Sequence, residues 1–307
     1  MHTIWTGAPA YGTVDWNRIN RQVLTSVDKP MSVTWEAGTV LNKRYEIVKV
    51  LGQGDFGVVY QARDKRTVNI DRFVAIKQMP MQMIVDCERQ ADLRATLIHF
   101  AIPRILGHFA TDKHSYLVQE FIRGSNLEVI LQEYPGFLPE HMVISWAIQL
   151  CDVLDFLHNH AYHPMIFRDL KPNNVMVDQE NKIHLVDFGL ARVFPPRFFQ
   201  DRQAEFKHYR KGLAIGTAGY SPPEQYRGIV EPQSDIYALG ATLHHLLTKR
   251  DPRKERPFTF QEHPIRSINP AVSERLEAIV MKAVKREVEE RFPTAKEMQV
   301  ALERLRA

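Results

Sequence analysis

Apolar and polar positions alternate along the early part of the chain and then switch to a helical period. The run Tyr45-Glu46-Ile47-Val48-Lys49-Val50-Leu51 predicts a strand. Glycines follow it, then a second strand at Val58-Val59-Tyr60-Gln61-Ala62 and a third at Phe73-Val74-Ala75-Ile76-Lys77. Residues 84–98 carry a helical pattern, and Tyr116-Leu117-Val118-Gln119-Glu120-Phe121 reads as another strand. These elements make a small, mostly antiparallel sheet with one main helix.

After Arg123-Gly124 the pattern turns helical. Pro139 and Glu140 open a long amphipathic stretch to about His160, with Val143, Ala147, Leu150, Leu154 and Leu157 at helical spacing. Short strands are predicted around Val175-Met176-Val177 and Ile183-His184-Leu185-Val186, and helices near 234–248, 273–285 and 294–305. A small sheet lobe (about 38–121) followed by a larger helical lobe (about 123–305) is an α+β arrangement. Its cleft falls at the junction near 120–124, and such clefts hold ligands. Residues 1–37 are rich in Gly, Pro, Thr and Trp without a sustained period, and read as a loosely packed or disordered extension. Trp5, Trp16 and Trp35 argue against complete disorder, because large aromatics find cover.

Composition narrows the function classes. An apolar share of 44% and a charged share of 25% are ordinary for a folded soluble chain of 307 residues. A formal charge of +4 does not call for a nucleic-acid partner. The only cysteines, Cys87 and Cys151, sit in helical, partly apolar stretches and read as buried thiols rather than a disulfide framework. No apolar run approaches the roughly 20 residues of a membrane span, and the N-terminus lacks the pattern of a signal peptide. The chain is expected to be cytoplasmic.

The chemistry concentrates in two strings. Phe167-Arg168-Asp169-Leu170-Lys171-Pro172-Asn173-Asn174 puts a carboxylate, a lysine and an amide on one short segment. Asp187-Phe188-Gly189 adds a second carboxylate just past the next two strands. Such a set can hold Mg²⁺–ATP against a hydroxyl, since hard cations take oxygen ligands from separate segments. Gly52-Gln53-Gly54-Asp55-Phe56-Gly57-Val58-Val59 lets backbone N–H groups approach phosphates, although alone it reads equally well as a turn. A dinucleotide fold would need a helix straight after these glycines, and a strand follows instead. Lys77 ends an apolar strand, where it either snorkels to water or meets phosphates.

In this order the strings resemble eukaryotic-type protein kinases, in their bacterial serine/threonine branch. Gly216-Thr217-Ala218-Gly219-Tyr220-Ser221-Pro222-Pro223-Glu224-Gln225-Tyr226 is similar to that branch's substrate-docking loop, and Ser234-Asp235-Ile236-Tyr237-Ala238-Leu239-Gly240 to the start of its central helix. The resemblance covers about residues 40–303. It implies a two-lobed kinase fold that transfers the γ-phosphoryl group of ATP to Ser or Thr on a protein, with Mg²⁺ or Mn²⁺. Lys77 would orient the phosphates, Asp169 would take the hydroxyl proton, Lys171 would stabilise the transferring group, and Asn174 with Asp187 would hold the metal. Leu51, Gly52, Gly54, Phe56, Gly57, Val59, Ala75, Lys77, Glu120, Ile122 and Met176 would surround the nucleotide. Thr217 would support Asp169 and Lys171, Asp235 would bind the catalytic-loop backbone, and Glu224 would pair with Arg291. Phe167 stands where many members carry His and would pack on Phe188. A homodimer is left open.

Two departures follow. Gln90 falls where the family's helix carries the glutamate that pairs with the strand lysine, and Arg94 where an apolar residue is usual. Gln has no charge, Glu88 points elsewhere on a helix, and activity is expected to fall about 10²-fold. Between Phe188 and Gly216 there is no Ser or Thr, and Tyr209 is the only hydroxyl. Arg168 belongs to the class that receives a phosphate there, so either Glu205 or Asp201 would stand in for it or the segment is expected to stay mobile. The run Arg202, Lys207, His208, Arg210, Lys211 reads as a solvated basic loop. The alternative functions are a nucleotide-binding pseudokinase scaffold and a small-molecule kinase. The Gly216–Glu224 loop and late Arg291 disfavour the second.

Overall fold

The computed structural model describes residues 34–54, 57–66, 72–81, 96–161, 164–193 and 216–306. Six strands build the small lobe: β1 (Val40–Leu41), β2 (Tyr45–Gly54), β3 (Gly57–Asp64), β4 (Phe73–Pro80), β5 (Ile105–Ala110) and β6 (His114–Glu120). They lie in the order β1-β2-β3-β4-β6-β5, and every pairing is antiparallel. Alternation in β3 buries Val58, Tyr60 and Ala62 completely and turns Val59 and Gln61 to the other face. β4 lies in the middle of the sheet and is buried along both faces, which suits the unbroken run Val74-Ala75-Ile76. Of the predicted helix at 84–98, only 96–98 lie among the described residues, and these form turn and coil rather than helix.

On one face of this sheet Tyr45, Phe109 and Tyr116 stack, with ring centroids 5.9 and 4.6 Å apart. Trp35 packs against this cluster. Its backbone N–H donates to the Tyr60 hydroxyl at 3.2 Å and its indole N–H to the Tyr116 hydroxyl at 3.1 Å. The Tyr60 hydroxyl in turn donates to Gln78 Oε1 at 3.0 Å, next to Lys77 on β4.

The large lobe holds α1 (Leu127–Glu133), α2 (Glu140–His158), α3 (Pro232–Thr248), α4 (Ile265–Ile268), α5 (Glu274–Ala283) and α6 (Ala295–Glu303). Two small sheets complete it. One has β7 (Gly124–Asn126), β9 (Val175–Asp178) and β10 (Ile183–Leu185), and the other pairs β8 (Met165–Ile166) with β11 (Arg192–Val193). In α2 the predicted stripe Val143, Ala147, Leu150, Leu154 and Leu157 is fully buried. α3 is buried at every position from Ser234 to Thr248, the mark of a helix surrounded by protein. Pro232 at its first turn costs no hydrogen bond, because that N–H has no partner within a helix. Ser273 and Thr294 cap α5 and α6, each accepting a backbone N–H on its hydroxyl.

Cys151 lies fully buried and unpaired on α2, where burial pushes its thiol well up, and Cys87 lies outside the described residues. Among the described residues no helix is long and apolar enough to cross a membrane.

Candidate active site

The loop between β8 and β9 leaves backbone N–H groups without sheet partners, and a buried carboxylate answers them. Asp235, near the start of α3, accepts from the N–H of Phe167 and of Arg168, both at 2.8 Å. His158, in the last turn of α2, meets the same carboxylate through Nε2 at 2.8 Å. Asp235 is 0% exposed, so each contact replaces one that water would have made. Arg168 takes the left-handed conformation at φ 69°, and its carbonyl accepts from Gln225 Nε2 at 3.0 Å.

The next residue, Asp169, is held on both carboxylate oxygens. Thr217 Oγ1 donates to Oδ1 at 2.6 Å, Asn174 Nδ2 donates to Oδ2 at 2.8 Å, and Lys171 Nζ lies 2.9 Å from Oδ2. Lys171 Nζ also donates to Thr217 Oγ1 at 2.6 Å. The single hydroxyl proton of Thr217 is thereby committed to Asp169, because lysine can only donate. Asn174 Nδ2 donates a second time, to the Asp169 carbonyl at 2.8 Å, which leaves the amide oxygen as its remaining ligand atom. A short 3-10 turn over Pro172–Asn174 sets this spacing.

The second carboxylate arrives by a hairpin. β9 pairs with β10, and the N–H of Val186 donates to the Asn174 carbonyl at 2.9 Å, tying the two strings together. Asp187 then adopts φ 63°, and its Oδ1 accepts from Lys77 Nζ at 2.5 Å and from the Gly189 N–H at 3.1 Å. Burial pushes the Asp187 carboxyl up, but the Lys77 ammonium, the Gly189 amide and the more distant Lys171 outweigh it and hold the group below the usual carboxylate range. Phe188 is buried edge-on against Phe167, with centroids 5.1 Å apart.

In the small lobe, β2 and β3 close a hairpin with Gly54 opposite Gly57 and Gly52 opposite Val59. Gly57 has φ +127°, and a Cβ there would lie 1.8 Å from the Gln78 carbonyl oxygen, so the hairpin rests directly on the β4 backbone. Val59 pairs with Lys77 across β3 and β4. Leu51, Gly52 and Gly54 are exposed, Val59, Ile122 and Met176 are half-buried, and Ala75 is buried. Glu120 ends β6 and is fixed by Arg104, through Nε at 2.6 Å and the backbone N–H at 3.0 Å. Phe56, Glu88, Gln90, Arg94, Asp201, Glu205, Tyr209 and the basic run from Arg202 to Lys211 lie outside the described residues.

In the stretch 216–226, Glu224 forms a bidentate pair with Arg291 at 2.6 and 2.9 Å. The remaining N–H groups of Arg291 go to the carbonyls of Gln233, Lys285 and Arg286, so all five donors of a side chain 2% exposed are used. His158 and Gln225 were not among the sequence candidates. Both are buried polar groups whose partners lie far along the chain, 77 residues for His158 and 57 for Gln225, and no periodicity signals such contacts.

The sequence matches the protein kinase domain family over residues 45–301. A probable serine/threonine-protein kinase of Streptomyces coelicolor is 32% identical over 282 residues, 86% of this chain and 40% of the relative. Serine/threonine-protein kinase PknB of Mycobacterium tuberculosis is 31% identical over 289 residues, 86% of this chain and 43% of the relative. Serine/threonine-protein kinase F of Synechocystis is 30% identical over 307 residues, covering 92% and 59%. The chain thus spans between 40% and 59% of the length of these relatives. Among solved structures, the PknI kinase domain of Mycobacterium tuberculosis is similar with a TM-score of 0.65 at 20% identity, covering 88% of this chain and 99% of that one. The apo form of PpkA-294 gives 0.67 at 22%, covering 88% and 99%. At these identities the likeness is one of fold. The matched stretch runs from β2 into α6 and so takes in both lobes, and the chain belongs to the protein kinase domain family.

Proposed function

We propose that this domain transfers the γ-phosphoryl group of ATP to serine and threonine hydroxyls of protein substrates. The observation that carries the reading is the Asp169 carboxylate. It has about four lone-pair sites, and Thr217, Asn174 and Lys171 occupy three. One is left for the proton of an incoming hydroxyl. Lys171, 2.9 Å from that carboxylate, puts positive charge where the transferred group would gain electron density. Relatives named serine/threonine-protein kinases support the acceptor class.

The chain's oxygen donors fit a small hard cation. No group of three or more His, Cys, Asp or Glu among the described residues could hold a metal alone. Asn174 and Asp187 would hold Mg²⁺ or Mn²⁺ only together with phosphate oxygens, the usual arrangement for magnesium. The bound ion would supply charge neutralisation to the phosphates. Lys77 offers its ammonium to the same phosphates, and here it neutralises Asp187 instead. Glu120 and Ile122 at the lobe junction, with Ala75, Val59 and Met176, would border the base, and protein substrates would approach over the docking loop. A pseudokinase reading gains nothing from the site, because Lys77, Asp169, Asn174 and Asp187 are all present in it.

Transfer of labelled phosphate from ATP to a generic basic protein, with and without Mg²⁺, tests the proposal. Metal-dependent labelling of Ser or Thr is expected, abolished in Asp169→Asn. Folded, nucleotide-bound protein that labels nothing would overturn it.

A further inference from the structure

The backbone of Arg168, the residue that leads into Asp169, is gripped on both sides from two elements. Asp235 takes the Arg168 N–H at 2.8 Å, and Gln225 donates to the Arg168 carbonyl at 3.0 Å. Arg168 is a non-glycine residue at φ 69°, a conformation L-residues adopt only when surroundings enforce it. With both its N–H and its C=O fixed, the direction in which Asp169 leaves the loop is fixed as well.

Asp235 belongs to the central helix, but Gln225 belongs to the docking loop. Its side chain is 1% exposed, and its Nε2 also donates to Ser221 Oγ at 3.3 Å, within the same loop. The loop is shaped around this amide. A Cβ at Gly216 would lie 2.5 Å from Gln225 Nε2 and 2.1 Å from Ser221 Oγ, so only glycine leaves room for it. Thr217, the next residue, reaches the Asp169 carboxylate. The docking loop therefore touches the reacting segment twice, at the side chain of Asp169 and at the backbone just before it.

We infer that Gln225 is a positioning residue that transmits the state of the docking loop to Asp169 through the Arg168 carbonyl. A loop seated by substrate holds the amide on that carbonyl, and a displaced loop releases it. Gln225 acts here through its bonds to Arg168 and Ser221, whereas the nucleotide is assigned to Lys77 and Asp187. Its loss is therefore expected in turnover and not in nucleotide affinity. The inference rests on the kinase reading for its catalytic consequence, but the contact itself can be tested without turnover.

Gln225→Met keeps the length and removes the donor, and Gln225→Glu keeps the shape and sets an acceptor against an acceptor. A buried carbonyl left without its donor costs enough to lower kcat about 10-fold or more. KM for ATP is expected to stay within about twofold, because Lys77 and Asp187 keep their contacts. Hydrogen exchange on the nucleotide-free protein supplies the second readout. Amides of residues 168–171 are expected to exchange faster in Gln225→Met, while those of α5 and α6 stay as in the wild type. Unchanged kcat in folded Gln225→Met, or a rise in KM for ATP that accounts for the whole loss, overturns the inference. So does unchanged exchange over 168–171. Should the wild type itself transfer no phosphate, the kinase reading fails, and the exchange result still decides whether Gln225 holds this loop.

Discussion

Thr217→Val removes one hydroxyl and almost nothing else, since the two side chains have nearly the same shape. The hydroxyl joins Lys171 to Asp169, with both bonds at 2.6 Å. A hydrogen bond to a charged group contributes about 1.5–3 kcal/mol, which corresponds to about 10- to 150-fold in rate. Asp169 keeps Asn174 at 2.8 Å and Lys171 at 2.9 Å, so the loss belongs at the low end. We expect kcat to fall about 10- to 30-fold, with KM for ATP unchanged, in steady-state phosphorylation of a protein substrate. Thr217→Ser, which restores the bridge, is expected to recover the rate to within about threefold. The reasoning is refuted if folded Thr217→Val keeps its kcat, or if the serine variant is as slow as the valine.

Arg291→Met leaves Glu224 buried with no opposite charge and removes a donor from three carbonyls. A loss of about 3–5 kcal/mol is expected in urea unfolding, partly recovered by adding Glu224→Gln. His244 is 1% exposed; burial pulls its imidazole down from 6.5 to about 4, despite the bond from Nε2 to the His263 carbonyl. The unfolded chain therefore takes up a proton that the folded side chain refuses, and stability falls as pH drops from 6.5 towards about 4. The acid limb amounts to about 3 kcal/mol and is expected to flatten in His244→Gln, followed by urea midpoints across that range. Gly57→Ala drives a Cβ to 1.8 Å from the Gln78 carbonyl at φ +127°, and a loss of about 2 kcal/mol or more is expected in thermal unfolding.

The sequence was most informative where a signal is local or periodic. β3 and β4 read directly because alternation or an unbroken apolar run marks a strand with one or both faces covered. The α2 stripe read for the same reason at a helical period. α1 escaped notice because it has only seven residues and one cap, Asn126, and β1 because two residues carry no period. β5 alternates weakly and has no fully buried residue. In the site, Asp169, Lys171 and Asn174 share one short string, so their proximity follows from chain geometry. Thr217 lies 48 residues from Asp169 and could be placed only by resemblance. His158 and Gln225 carry no pattern, since a buried polar contact is satisfied by whichever residue the fold delivers.

Trp35 bears on where this domain can be cut. The hydroxyls it engages lie on β3 and β6, the two neighbours of the strand that carries Lys77. The stretch shared with the family opens only at residue 45. A recombinant fragment trimmed to that point would lose the indole roofing Tyr60 and Tyr116, and with it a brace behind the strand of Lys77. Fragments meant to report on catalysis are better begun ahead of Trp35.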